Sequence, residues 1–153
     1  GIAGAAGTQV FAADSNGVVV SSPYPLKVGS NVVHEKLVVT ALVVVGTVGN
    51  ALFVPTEGLW KLSAVSYLPQ VAGTGGAATM DIGVGLTTVV ATTPTTTQLT
   101  AGLDLVGTAG VIIRGILIAA PTEFGPGSYC AMNPTGTKTS VVGWITAHFI
   151  RTK

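Results

Sequence analysis

"LVVTALVVVGTVGNALFV", residues 37–54, contains no charged residue, and whether it crosses a membrane or lines the inside of a sandwich decides the fold. A membrane helix needs about 20 mostly apolar residues, and this run comes near that length. It is interrupted by Thr40, Gly46, Thr47, Gly49 and Asn50, and Val and Thr dominate it. Their β-branched side chains are stiff at χ1 and suit a pleated strand better than a helix. His34, Glu35 and Lys36 precede the run and Glu57 and Lys61 follow it, so neither flank carries the positive excess that orients a membrane span. The stretch therefore reads as two strands, 37–45 and 50–54, turned at "GTVGN".

The same chemistry extends over the whole chain. Its 153 residues suffice for one domain with a core of its own. Hydrophobic residues make up 48% but aromatic ones only 6%, beside 21 Gly. That composition suits short strands and tight turns, and it is the opposite of the polar, charged composition of disorder. The net charge is +1, and the basic residues Lys27, Lys36, Lys61, Arg114, Lys138, Arg151 and Lys153 are scattered. Without a basic stripe to neutralise phosphates, nucleic-acid binding is not expected. Cys130 is the single cysteine, which precludes an intrachain disulfide and reads as a small buried apolar side chain. The opening "GIAGAAGTQVFAADSNG" has neither the basic nor the continuous apolar region of a signal peptide.

Residues 1–30 read as an extended N-terminal arm with one or two short strands, since Pro23 and Pro25 resist both helix and central strand. From 31 to 153 period-two alternation predicts further strands at 58–69, 78–85, 96–106, 109–120 and 139–151. In 78–85, Ala78, Met80, Ile82 and Val84 fall on one face; in 96–106, Leu99, Ala101, Leu103 and Leu105 point inward and Gln98, Thr100 and Asp104 outward. Segments 109–120 and 139–151 are apolar on both faces: Val111, Ile113 and Leu117 oppose Ile112, Ile116 and Ile118, and Val142, Trp144 and Ile150 oppose Val141, Ile145 and Phe149. A two-sheet sandwich buries one face of each sheet, so the second apolar face predicts a covering partner. The expected fold is all-β: an antiparallel β-sandwich of jelly-roll type behind an N-terminal arm.

No constellation for catalysis emerges. His34 and His148 are the only histidines and share no metal-ligand spacing. "HEK" at 34–36 lacks the second His of a metalloprotease motif, and "VAGTGGAATM" at 71–80 lacks the Lys-Ser or Lys-Thr of a phosphate loop. "PGSYCAMNP" around Cys130 reads as a loop leading to a strand, without a cysteine-protease signature. Asp81 and Asp104 stand on polar strand faces, where a cross-strand dyad or cation site is conceivable but two solvated charges are expected. The expectation is a protein that is not an enzyme, with no catalytic residue, metal or cofactor.

The strand order over residues 31–153, in a Val-, Thr- and Gly-rich chain poor in charge, resembles the jelly-roll capsid decoration, or cement, proteins of tailed bacteriophages. The resemblance implies a virion protein on the capsid exterior, made in the host cytoplasm and assembled as a homotrimer. Its partners would be itself and the major capsid protein, with no nucleic acid and no membrane. The arm residues Val10, Phe11, Val18, Val19 and Val20 are candidates for partner contact by strand addition. Ile112, Ile116, Ile118 and Trp144 are candidates for the oligomer interface. "FVPTEGLWKLSAVSYLP", "AGLDLVGTAGVIIRGILIAAP" and "VVGWITAHFIRT" are similar to C1q and tumour-necrosis-factor jelly rolls, which implies carbohydrate or receptor binding instead, although Leu103 separates Gly102 from Asp104 where that family has a Gly-Asp turn. A small jelly-roll viral coat protein is the remaining alternative.

Overall fold

The computed structural model describes residues 35–44, 51–72, 77–86, 96–136 and 141–153, together with the backbone of 12–14, 17–19, 27–28 and 31–32. These residues contain strands and no helix, and so no helix long and apolar enough to cross a membrane. The chain divides into two units, Gly1–Glu35 and Lys36–Lys153. The first contains two short antiparallel ribbons. β1 (Ala12–Asp14) pairs with β2 (Gly17–Val19), and β3 (Lys27–Val28) pairs with β4 (Asn31–Val32). Of the expected arm contacts, Val18 and Val19 lie in β2, while Val10, Phe11 and Val20 lie outside the described residues.

The second unit is a sandwich of two antiparallel sheets. One sheet has four strands: β5 (Lys36–Val44), β7 (Trp60–Pro69), β11 (Ile113–Arg114) and β13 (Val142–Arg151), in the order β11-β7-β13-β5. The other has β6 (Ala51–Phe53), β8 (Ala78–Leu86), β9 (Thr96–Thr97), β10 (Leu103–Asp104) and β12 (Ser128–Gly136), in the order β10-β8-β12-β6, with β9 on β8 as well. The run that opened the question thus forms β5 and β6, one strand in each sheet; the "GTVGN" turn lies outside the described residues.

Alternation places the core. Val43, Leu62, Val65, Tyr67, Ile145, Ala147 and Phe149 of the first sheet meet Met80, Ile82, Val84, Cys130 and Met132 of the second, all buried. At one end Phe53 joins the layers edge-on, its ring centroid 5.1 Å from Trp60, 5.9 Å from Phe124 and 5.1 Å from Phe149. Such pairs contribute about 0.5–1.5 kcal/mol each beyond area burial. A register shift keeps the alternation consistent: β13 pairs His148 with Ala64 but Phe149 with Leu62, skipping Ser63. The Ser63 hydroxyl donates to the His148 carbonyl at 3.0 Å. Without this bulge, either Leu62 or Phe149 would turn to the outside, because strand faces alternate with period two.

Three expectations change. First, 96–106 and 109–120 are not continuous strands. Only β9, β10, β11 and the bridge Leu99↔Leu117 are regular. The region crosses from one sheet to the other: Gln98 N donates to Ile82 O, Ile118 N to Gln98 O and Gly115 N to Val65 O. At Gly115 an added Cβ would stand 2.6 Å from Val65 Cγ1, so glycine permits this close approach. Second, Gln98 is fully buried rather than outward, and Ala101 is exposed rather than inward. The Gln98 amide donates to Thr96 O and Thr122 Oγ1, and its carbonyl accepts from Thr122 N at 2.6 Å. Third, "SYCAMNPTG", expected as a loop leading to a strand, is strand throughout: β12, paired with β8 over its whole length. Its Pro134 stands opposite Met80 of β8.

Candidate functional site: the outer face of the four-stranded sheet

The outer face of the four-stranded sheet is built from residues that alternate with its core. In register across β5, β13 and β7 stand Leu42, Trp144 and Leu68, and beside them Val44 and Val142. Leu42 is 43%, Trp144 38% and Leu68 36% exposed. The next row is polar, Thr40, Thr146, Ser66 and Arg114, with the Thr40 and Thr146 hydroxyls 3.3 Å apart. A further row holds Val38, His148 and Ala64. Solvated sheet faces ordinarily alternate to polar residues. Here one end of the face, from Leu42 and Val44 across Trp144 to Leu68, is an apolar band, the kind of surface that marks an interaction site.

The crossing segment extends this band past the sheet edge. Ile112 is 58% and Ile116 71% exposed, whereas Ile118 is half-buried. These residues were expected on one face of one strand, with Val111 opposite them. Because the segment bends, Val111 is exposed together with Ile112, and Leu117 and Ile113 turn towards the core. Between the edge and the face lies a cavity of about 300 Å³, lined by Ala64, Ser66, Ile112, Arg114, Gly115 and His148 together with Val65. Its polar groups are a guanidinium, an imidazole and a hydroxyl, suited to holding an anion, with no carboxylate among the lining residues.

Elsewhere the described residues bring no reactive set together. No three of His, Cys, Asp and Glu converge among them. Asp104 Oδ1 accepts from Val106 N at 2.8 Å, closing its own turn, and stands opposite Thr79, while Asp81 stands opposite Asn133. Cys130 is fully buried, and burial pushes its thiol up to about 12, so the nucleophilic thiolate is suppressed. His148 lies exposed on the sheet face and His34 falls outside the described residues. The buried Tyr67 hydroxyl has no hydrogen-bond partner among the described residues, and burial raises its pKa.

No protein-family model, curated protein or solved structure matches the chain. Two features of this face escaped sequence reasoning. The in-register row Leu42–Trp144–Leu68 needs the strand pairing, although the alternation of Val38, Leu42 and Val44 with core positions hints at it. The cavity depends on Arg114 and His148 converging from segments far apart in the chain, and no local signal announces that.

Proposed function

We propose that the protein is a structural component of a viral particle that assembles into a closed oligomer, a homotrimer, and decorates and stabilises the exterior of the capsid by binding the major coat protein. The observation that carries this reading is the apolar band Leu42–Trp144–Leu68 with Ile112 and Ile116 beyond it, exposed on a chain with only 8% charged residues. A surface of this kind is stabilised by being covered, at about 25 cal/mol per Å² of apolar area removed from water. Closed oligomers cover such bands with copies of themselves. The N-terminal residues, including Val18 and Val19 in β2, serve the coat-protein contact in this reading by adding strand edges to it. No cofactor takes part.

The test is proteomic and biochemical. In particles purified from the source of the sequence, quantitative mass spectrometry should find the chain in a copy number that is a simple multiple of the capsid's symmetry positions. External protease should reach it. Deleting residues 1–22 should leave the oligomer intact and weaken its attachment to particles. Absence from particles, or protection inside them, overturns the reading. Glycan or receptor binding by the isolated oligomer, with no affinity for particles, would put the receptor-binding function in its place.

A further inference from the structure

Resting on the oligomer of the preceding reading, we propose that neighbouring copies of this chain meet along the 112–123 edge, the Arg114 guanidinium of one copy pairing with the Glu123 carboxylate of the next, with Ile116 buried between the two charges. Arg114 and Glu123 are both exposed, and neither has a hydrogen bond or ion pair among the described residues. The other carboxylates of the sandwich are committed or recessed: Glu57 pairs with Arg151 at 3.5 Å, Asp104 closes its turn, and Asp81 is half-buried on the opposite sheet. Among the described residues Glu123 is thus a carboxylate without a partner, and Arg114 is the cation that lines the edge cavity.

Placement along β7 sets the two charges at opposite ends of the edge. Arg114 stands opposite Ser66, and Phe124, next to Glu123, bridges Trp60 at the other end of the same strand. Six positions at about 3.3 Å each separate the two charges by roughly 20 Å. Ile116, the most exposed large apolar side chain among the described residues, lies in the segment between them, with the small exposed Ala119 and Ala120 beside it. A cation at one end of the edge and an anion at the other let the Arg114 end of one copy receive the Glu123 end of the next, a heterologous contact that can close into a ring of three. Every copy supplies one Arg114 and one Glu123, so any closed ring leaves neither unpaired. The carboxylate finds its seat in the cavity, where the Ser66 hydroxyl can donate beside the guanidinium, and charge-assisted bonds of this kind fix register.

The experiment is a charge swap on the full chain, read by sedimentation velocity at micromolar concentration and low ionic strength, with circular dichroism to verify folding. Arg114→Glu and Glu123→Arg should each weaken assembly by about tenfold or more, since reversal opposes like charges across a contact. The chain carrying both substitutions should assemble to within a few-fold of wild type. Raised salt should weaken the wild-type contact. If both single variants assemble like wild type, or the double variant is as weak as the singles, the pairing is wrong while the oligomer stands. If the wild-type chain is a monomer, the oligomer of the proposed function falls and this contact falls with it.

Discussion

The two outer faces of the sandwich have the same backbone geometry and opposite surface chemistry. On the four-stranded sheet the outward positions carry Leu42, Trp144 and Leu68 in one row. On the other sheet the outward partners are Thr79 with Thr135, their hydroxyls 2.9 Å apart, Asp81 with Asn133, and Gly85 beneath the Tyr129 ring. An added Cβ at Gly85 would stand 2.7 Å from that ring, so this face packs on itself. Both sheets bury their inner faces equally well, and folding alone therefore does not account for the difference. On the second face the Tyr129 ring covers Gly85, while on the first Leu42, Trp144 and Leu68 stay exposed, the row that the proposed oligomer would cover.

Substitutions can break that comparison. The largest effect is expected from Trp144→Glu, which places a charge in the middle of the apolar row. Assembly should weaken by about thirtyfold or more, in line with interface hot spots of at least about 2 kcal/mol, with the fold unchanged by circular dichroism. An unaltered sedimentation profile would mean that the row is not an interface. Next comes Gln98→Ala at the seam between the sheets. It strands the Thr122 N–H in a buried setting, and the loss should be about 2 kcal/mol in denaturant unfolding, with no oligomer effect beyond that of stability.

Smaller effects sharpen the picture. Tyr67→Phe removes a buried hydroxyl that has no partner among the described residues, so stability should hold or rise by about 1 kcal/mol, the reverse of the usual cost of a core change. A loss above about 1 kcal/mol would reveal a partner for that hydroxyl. Cys130 adds a pH test. Its folded thiol titrates near 12, above the ordinary value of 9.0, so the unfolded state loses its proton first as pH rises. The stability linked to this group is present below about pH 9 and is lost between there and pH 12. Alkylation by iodoacetamide at pH 8 should therefore follow global unfolding, and fast labelling of the native chain would contradict burial. The smallest effect is expected from Thr135→Glu on the polar face, within about 0.5 kcal/mol in stability and without change in assembly.

Much of this was legible in the chain itself. The absence of charge and the Val-Thr content of 37–54 pointed to strands, and β5, β6, β7, β8 and β13 lie within a few residues of where alternation places them. Their inward residues at 80, 82, 84, 145 and 149 are core. Alternation failed where the backbone left the ladder. In 96–122 a period-two pattern arises from residues that turn inward one at a time as the segment bridges two sheets, which is why Gln98 reads as outward and is buried. β12 escaped because Gly127, Pro134 and Gly136 around it resemble turn residues, and only its nine-residue register with β8 makes it a strand.

Local side-chain period and β-branching therefore determined by themselves that this chain forms strands and which side of most of them is apolar, since those preferences act within a few residues. Which strands are neighbours was decided only by tertiary pairing, where Trp144 aligns with Leu42 and Leu68 across the sheet and Arg114 comes to the same cavity as His148. The physical reason is range: alternation is encoded along one strand, whereas a surface is made of residues from several strands. Its chemistry exists only once hydrogen bonding between distant segments has set their register.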